Sequence, residues 1–242
     1  MQKSQKISIE ALKSKIITSK SDLILAIQSA LKNKRLTEKD VLVITSKVVS
    51  VTQGKVVGMK DSNDHKKLVQ QEADRILGGK QVTLTLKNNI FTPWAGVDLS
   101  NTQKGTAVLW PEKPYEVAQI IQTWLKKNYK LKKVGVIISD SFCVPLRKGV
   151  IGVALGYAGF EGVVDKRGTK DLYGNTLSVT QEAVADSLAT MANLVMGQGK
   201  EQTPFALIHN APAKFSNKKT NPRGLTMPAE VCLFGPLYKG KL

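Results

Sequence analysis

The sequence has few of the residues that carry the commonest enzyme chemistries. Its 242 residues include two histidines and two cysteines, and aromatic residues make up 6%. It contains no GxSxG elbow, no GxGxxG turn and no GxxxxGK[ST] loop. A Ser-His-Asp hydrolase, a P-loop kinase and a dinucleotide-binding dehydrogenase are therefore not expected. Cys143 and Cys232 lie too far apart for a metal-ligand pair, which favours a reduced, cytoplasmic protein.

The same scarcity limits nucleophilic chemistry. Cys143 follows Asp140 by three residues, so a thiol nucleophile is one hypothesis, but neither histidine is a matching base in the sequence. We interpret His65 as a solvated residue of a polar turn. We interpret His209 as a structural histidine at the end of a strand.

Long apolar runs are also missing. No run reaches the roughly 18 residues that a membrane-spanning helix needs. Residues 1–15 carry charge but are not followed by an apolar segment. We therefore expect no membrane span and no secretory signal.

Positive charge is what the chain has in excess. The net charge is +17, from 36 basic and 19 acidic residues. Such a charge is compatible with nucleic-acid binding, because lysine and arginine release counterions from phosphates. The basic residues are spread along the chain without interleaved aromatic residues, however, and no DNA-binding motif is present. We therefore favour a lysine-rich solvated surface or anionic small molecules, such as nucleotides and polyglutamates, over nucleic acid.

Apolar periodicity predicts the secondary structure. Helices are predicted at residues 21–34 and 66–77, from Pro114 onwards, and in a long segment that Thr180 caps and Gly197 ends. Strands are predicted at residues 41–44, 81–86, 134–138 and 205–209, and the glycine-rich residues 149–162 indicate strands or turns with close backbone packing. Strands and helices do not alternate regularly. We therefore expect an α+β fold with mixed or antiparallel sheets, and not a P-loop or Rossmann fold.

Two aspartates occupy positions suited to metal binding. Asp98 lies in AGVDLSN, and Asp140 follows the strand VGVIIS. A carboxylate at the end of a strand can reach a pocket while the sheet fixes its backbone. Two of them suit Mg²⁺ or Mn²⁺ that bridges phosphates. The alternative from spacing alone is that both aspartates form turns or cap helices.

Five segments together resemble one protein family. In order along the chain they are VLVITSKVVSVTQGK (41–55), AGVDLSN (95–101), VGVIISDSFCVPLRKG (134–149), DKRGTKDLYGNTLSVT (165–180) and ADSLATMANLVMGQG (185–199). In sequence and order they are similar to the γ-glutamyl ligases that add glutamate to coenzyme F420, over about residues 40–210. The resemblance implies a dimer that uses GTP to phosphorylate a terminal carboxylate, which then accepts the amine of L-glutamate.

The resemblance also implies a set of site residues. Asp98, Asp140, Ser141 and Gln198 would be ligands of Mg²⁺ or Mn²⁺, with K⁺ as a further candidate ion. The nucleotide would lie along Ser46, Lys47, Asn101, Met196, Gly197, Gln198, Gly199 and Lys200. Asp140 and Arg147 would be catalytic. Arg147, Arg167 and Lys170 are candidates to hold the carboxylates of the acceptor or of glutamate.

The chain departs from the family where substrates would bind. KSKIITSKSD (13–22) stands where the family has a Gly-Leu-Pro loop, Val51 replaces a lysine, and TPW precedes AGVD where an asparagine is common. An apolar side chain at a phosphate site removes a charge-assisted contact. GTP and ATP therefore both remain candidates. The acceptor can be F420-0 or a folate-like molecule, and a non-catalytic protein that binds an anionic partner is the alternative from another class.

Composition divides the chain into two units. Residues 211–242 hold six basic residues, one acidic residue and four prolines, without a clear period. We predict a ligase-like catalytic unit at residues 1–210, with a smaller subdomain around residues 95–200. The basic residues 211–242 would form a C-terminal tail or arm.

Overall fold

Strands and helices follow one another irregularly in the computed structural model, which describes residues 6–238. The elements are β1 (Ser8–Leu12), α1 (Leu23–Ala30), β2 (Asp40–Thr45), α2 (Ser46–Thr52), β3 (Val56–Gly58), α3 (Ser62–Glu72), β4 (Arg75–Gly78), β5 (Leu84–Lys87), β6 (Ile90–Pro93), β7 (Thr106–Val108), α4 (Pro114–Tyr129), β8 (Val134–Cys143), β9 (Val150–Ala158), β10 (Val163–Asp165), β11 (Gln181–Ala183), α5 (Val184–Met196), β12 (Phe205–His209) and α6 (Gly235–Tyr238). Residues 1–5 of the predicted catalytic unit and residues 239–242 of the predicted tail lie outside the described residues.

A five-stranded mixed sheet forms the centre of the protein. Its order is β1-β12-β2-β8-β9, in which β2 and β8 are parallel and the other neighbours are antiparallel. Side chains of a strand alternate between its two faces. In β2, Leu42 and Ile44 therefore face one apolar cluster, and Val41 and Val43 face another. The sheet is buried on both faces.

Helices cover the two faces. Ile27 of α1, Val49 of α2 and Ile121 of α4 are buried against the Leu42 face, whereas Leu188 and Ala192 of α5 are buried against the opposite face. Glycines permit the close packing that their frequency predicted. A Cβ at Gly156 would lie 2.5 Å from the carbonyl carbon of Pro114, and one at Gly152 would lie 2.3 Å from the carbonyl oxygen of Ala189.

The part of the chain between β2 and β8 forms smaller sheets and has an apolar core of its own. It contains the pair β3-β7 and the three-stranded sheet β4-β5-β6, while β10 pairs with β11 elsewhere. Leu68 and Val69 of α3 are buried with Ala95, Val97 and Leu109 in a third apolar cluster. Several sheets with packed helices confirm the predicted α+β fold class.

Two predicted helix boundaries are wrong. Residues 66–77 are not one helix: α3 ends at Glu72, and Ile76 and Leu77 belong to strand β4. Their apolar side chains also fit a helical period, which periodicity over so short a segment cannot distinguish from a strand. Thr180 does not cap the last long helix, because β11 (Gln181–Ala183) intervenes. Gly197 does end that helix, with a φ of 75°.

The predicted tail is irregular but packed on the body. Phe215 pairs with Phe160, and the amide of Ser216 donates to the carbonyl of Gly159 at 2.9 Å. The side-chain amide of Asn89 donates to the carbonyl of Met227. Within residues 6–238, no helix is both long and apolar enough to span a membrane.

Candidate functional site

The parallel pairing of β2 and β8 brings two strand ends together. Thr45 at the end of β2 is in register with Ser139 in β8, so Ser46 and Lys47 emerge beside Asp140. Ligands of sheets that contain parallel strands commonly bind outside the carboxyl ends of those strands. Here these ends open into a cleft of about 570 Å³, which is in the range of small-molecule sites. We call it the central cleft.

Asp140 lies deep in the central cleft. Its Oδ2 accepts a hydrogen bond of 2.5 Å from Nε1 of Trp110, and its Oδ1 accepts one from the amide of Ser141 at 2.9 Å. Burial nevertheless raises the pKa of the Asp140 carboxyl to about 6, and the negative charge of Asp98 adds to the rise. The hydrogen bonds from Trp110, the Ser141 amide and Ser46 oppose it. The site thus holds a carboxylate with an unusually high proton affinity.

Asp98 is held on the other side of the cleft by a lysine. Lys47 Nζ lies 2.7 Å from Oδ2 of Asp98 and also donates to the carbonyl and hydroxyl oxygens of Ser100. The amide of Ser100 donates to Oδ1 of Asp98 at 2.7 Å. Asp98 itself exchanges two backbone hydrogen bonds with Val108 of β7. Lys47 therefore fixes the 98–101 loop across the cleft and neutralises its carboxylate.

The turn before Asp98 is strained. Trp94, Ala95 and Gly96 have successive φ values of 52°, 55° and 71°. Left-handed backbone costs a non-glycine residue about 1–2 kcal/mol. A Cβ at Gly96 would lie 2.3 Å from Nε1 of Trp110, so glycine leaves the space that the tryptophan occupies. The turn thus joins the Asp98 loop to the hydrogen-bond donor of Asp140.

Trp110 is itself tightly held. Its side chain is buried, with 8% of its surface exposed, and Lys87 Nζ lies 5.7 Å from the centre of its ring. Lys87 in turn pairs with Glu72 of α3 at 2.5 Å. A cation over an indole ring is an attractive contact, so this arrangement fixes the ring that binds Asp140.

The loop after α5 closes the cleft. Met196, Gly197, Gln198, Gly199 and Lys200 all line it. The side-chain amide of Asn101 donates to the carbonyl of Gly199 at 3.0 Å, which joins this loop to the Asp98 loop. Gln198 donates to Oδ1 of Asn193 at 2.9 Å.

Most of the residues singled out in the sequence meet at this cleft. Its lining includes Lys47, Asp98, Asn101, Asp140, Ser141, Met196, Gly197, Gln198, Gly199 and Lys200. Ser46 is buried just behind it, with 4% of its surface exposed. Their roles as metal and nucleotide ligands stay predictions.

Other candidates lie outside the residues that line the cleft. Arg147 is exposed in the loop between β8 and β9, and its amide donates to the carbonyl of Val144. Arg167 pairs with Asp165, and Lys170 donates to Thr176 in the same exposed segment. Cys143 is exposed at the end of β8. The structure therefore does not bring these side chains to Asp98 and Asp140 within one chain.

The two histidines have structural surroundings. His65 lies in α3 rather than in a solvated turn, and its ring packs at 87° to the ring of Trp94, 5.3 Å away. His209, as predicted, is satisfied at the end of a strand: its Nδ1 lies 3.0 Å from the buried carboxylate of Asp40. Its Nε2 lies 3.4 Å from Glu10.

The metal-ligating side chains of the cleft fit a metal ion whose coordination is completed by a bound phosphate. Among residues 6–238, no cluster of three or more His, Cys, Asp or Glu side chains could hold a metal by itself. Asp98 and Asp140 do provide two carboxylates at one cleft, close enough for the charge of one to raise the pKa of the other. Mg²⁺ is commonly bound by one or two carboxylates together with substrate phosphates. The cleft suits this kind of site, and not an all-protein metal cage.

Sequence reasoning missed Trp110, Gly96 and Trp94. Trp110 follows β7 by two residues, and a buried tryptophan needs a partner for its N–H, which was the available signal. Gly96 belongs to the AGVD segment, but the need for glycine there comes from the ring of Trp110, which lies in a separate stretch of the chain. No feature of the local sequence predicts the left-handed backbone of Trp94.

Comparisons with known proteins identify the family of this chain. The model of the family described as F420-0:Gamma-glutamyl ligase matches residues 11–210. Coenzyme F420:L-glutamate ligase of Methanococcus maripaludis (strain S2) is 36% identical, and the alignment covers 88% of this chain and 91% of that protein. The protein of the same name from Methanocaldococcus jannaschii is 37% identical, with 81% and 84% covered. The match therefore includes every segment that lines the central cleft, and the chain belongs to the F420-0:γ-glutamyl ligase family.

Proposed function

We propose that this protein is a metal-dependent, GTP-driven γ-glutamyl ligase that joins L-glutamate to a carboxylate-bearing acceptor through an acyl phosphate. The observation that carries the proposal is the convergence of Asp98, Asp140 and Lys47 at one cleft of ligand size. Relatives named coenzyme F420:L-glutamate ligase make F420-0 the first acceptor to test, and a folate-like molecule is the alternative. ATP is the alternative nucleotide.

The reaction balances in two steps. An acceptor carboxylate oxygen attacks the γ-phosphorus, the bond from that phosphorus to the bridging oxygen breaks, and GDP leaves. The amine of L-glutamate then attacks the acyl carbon, the carbon–oxygen bond to phosphate breaks, and the amine loses a proton as the amide forms. A bound Mg²⁺ or Mn²⁺ would neutralise charge on the transferred phosphoryl group.

The residues of the cleft have distinct roles in this proposal. Asp98, Asp140, Ser141 and Gln198 would hold the metal. Ser46, Lys47 and Asn101, together with the 196–200 loop, would position the triphosphate. Lys47 is well placed to do so, because its ammonium, which pairs with Asp98, would bind phosphate oxygens if a cation held by Asp98 neutralised that carboxylate. Arg147 is proposed to hold a substrate carboxylate, which Arg147→Ala tests by an increase in KM for glutamate or acceptor.

We further propose that the protein acts as a homodimer in a reducing cytoplasm. Leu172, Tyr173 and Val179 lie in the segment between β10 and β11, with 91%, 87% and 82% of their surfaces exposed. Large apolar side chains grouped in this way commonly mark a protein interface. They support association with a second copy of the chain.

Calorimetric titration tests the proposed function. GTP, and then ATP, is titrated into the protein with and without Mn²⁺, in NaCl and in KCl, and turnover is measured with L-glutamate and F420-0 or folate. Metal-dependent nucleotide binding that Asp98→Ala removes, together with amide formation, is expected. Asp140→Asn should abolish turnover and leave the circular dichroism spectrum unchanged.

The alternative from another class makes the opposite prediction. A non-catalytic protein that uses its +17 charge to bind an anionic partner would be indifferent to Asp98→Ala. Its affinity would instead fall steeply with salt. Absence of metal-dependent binding at millimolar GTP and ATP would refute the ligase proposal.

A further inference from the structure

The central cleft has an apolar part beside its charged part. Ile16, Val48, Val51, Pro93 and Trp94 line it together with the carboxylates and lysines. Val51 lies four residues after Lys47 in α2, so the two side chains project from the same helix face about 5–6 Å apart. Trp94 lies four residues before Asp98. The apolar residues thus line the same cleft as the groups that suit phosphate and metal.

Trp94 is held in place before any ligand binds. Its amide donates to the carbonyl of Thr83 at 2.8 Å, and its own carbonyl accepts from the amide of Val97 at 2.9 Å. Its side chain packs against the third apolar cluster, and the ring lies nearly perpendicular to that of His65. An aromatic side chain with a left-handed backbone persists only where its surroundings over-determine it. The ring is therefore pre-organised, and a ligand that contacts it need not order it.

The position of Trp94 matches a ligand with two chemically different parts. A half-buried indole offers apolar area and a π-face, and the neighbouring lysines and carboxylates suit phosphates and a divalent cation. We propose that Trp94, with Val51 and Ile16, forms the subsite for a planar heteroaromatic ring carried by an anionic ligand of the cleft. This inference rests on the proposed function. The ring is either the base of the nucleoside triphosphate or the deazaflavin or pterin ring of the acceptor.

Affinities of ligands with and without a ring test the proposal. Dissociation constants are measured by calorimetry for wild type, Trp94→Phe, Trp94→Leu and Trp94→Ala, with thermal melting as the check on folding. The probes with Mn²⁺ are inorganic tripolyphosphate, which has no ring, and GTP and ATP. The probes without triphosphate are F420-0 and folate. The Leu variant keeps apolar area without a π-face, and the Phe variant keeps a ring.

The expected result is selective. Trp94→Ala should lower the affinity for the nucleotides or for the acceptors about tenfold, and Trp94→Phe should lower it by less. The affinity for tripolyphosphate should not change. A loss of affinity for GTP or ATP assigns the subsite to the base, and a loss of affinity for F420-0 or folate assigns it to the ring of the acceptor. An equal loss for tripolyphosphate would show that Trp94 only shapes the Asp98 turn, and it would overturn the proposal.

The outcomes also separate this inference from the proposed function. If tripolyphosphate and the nucleotides fail to bind wild type with Mn²⁺, the ligase proposal fails, while F420-0 and folate still report on the ring subsite. If Trp94→Ala leaves every ring-bearing ligand unchanged, the subsite is refuted even when metal-dependent nucleotide binding is intact.

Discussion

Trp110 donates a 2.5 Å hydrogen bond from Nε1 to Oδ2 of Asp140, and Gly96 lies directly against that donor. The three residues come from three separate stretches of chain. Any side chain at Gly96 would meet the indole before it could reach anything else. The glycine of the AGVD segment is thus explained by the partner of a carboxylate 44 positions away in sequence.

Gly96→Ala should therefore disturb Asp140 without touching it. The added methyl would overlap the Trp110 ring, and alanine would have to adopt a left-handed backbone. Together these should lower the free energy of unfolding by about 1–3 kcal/mol. Displacing Trp110 removes a hydrogen bond to a charged group, worth about 1.5–3 kcal/mol, so Mn²⁺-dependent GTP affinity should fall about tenfold or more. Urea unfolding and calorimetry measure the two effects. Gly58→Ala is the matched control, since an added Cβ there meets no atom within 4 Å; equal behaviour of the two variants would contradict the role of Gly96.

Lys47→Met should weaken nucleotide binding more than loss of one charge explains. Lys47 fixes the Asp98 loop through Asp98 and Ser100, and we expect it to contact the triphosphate. Losing a charge-assisted contact in a partly enclosed cleft should lower GTP affinity about tenfold. Lys55→Met changes the net charge equally but breaks a pair with Glu112, and it should change affinity less than about twofold because exposed ion pairs contribute little. If both variants weaken binding equally, Lys47 acts only through long-range attraction.

Asp186→Asn should stabilise the protein at neutral pH. Asp186 is half-buried in the first turn of α5, where Oδ1 accepts the amide of Ala154 at 2.9 Å, and burial raises its pKa. A folded-state pKa above the unfolded one, about 3.9 for aspartate, means that ionisation at higher pH costs stability. Asparagine keeps the acceptor oxygen and avoids that cost.

The pH dependence distinguishes this mechanism from a packing effect. The gain in the free energy of unfolding for Asp186→Asn should be present at pH 7. It should shrink as the pH falls through the raised pKa and vanish near pH 3, where wild-type Asp186 is protonated in both states. Urea titrations of both proteins at several pH values measure it. A difference that does not change with pH would show that burial of the carboxylate is not its cause.

Leu172→Asp should convert the proposed homodimer to a monomer. Leu172 is 91% exposed in the chain, so the substitution should not unfold it, whereas a buried charge at an interface without a partner costs binding energy. Sedimentation velocity at several concentrations measures the mass. Leu25→Asp on α1 is the control, because Leu25 is also exposed but lies on another element. A dimer that survives Leu172→Asp and dissociates with Leu25→Asp would place the interface elsewhere.

Local sequence determined much of the secondary structure. The strands at residues 41–44, 134–138 and 205–209 are apolar runs buried on both faces of a sheet, and such runs have few alternatives. The helix from Pro114 has one apolar face, which must be buried against another element and here packs on the sheet. The prediction of one helix at residues 66–77 is wrong because the apolar residues of α3 and β4 together fit one helical period. No local sequence signal marks the end of α3 and the start of β4.

The candidate site divides in the same way. Asp98, Asp140 and the 196–200 loop could be named from the sequence because each belongs to a segment whose residues are unusual together. That they face one cleft follows from the parallel register of β2 and β8, which places Lys47 beside Asp140, and from the turn at Trp94. Trp110, Gly96 and the position of Trp94 required the fold, because each is explained by an atom far away in the chain. Residue chemistry is local and can be read from the sequence, whereas burial and hydrogen-bond partners, which set the pKa of Asp140 and the strain at Trp94, exist only once the strands have packed.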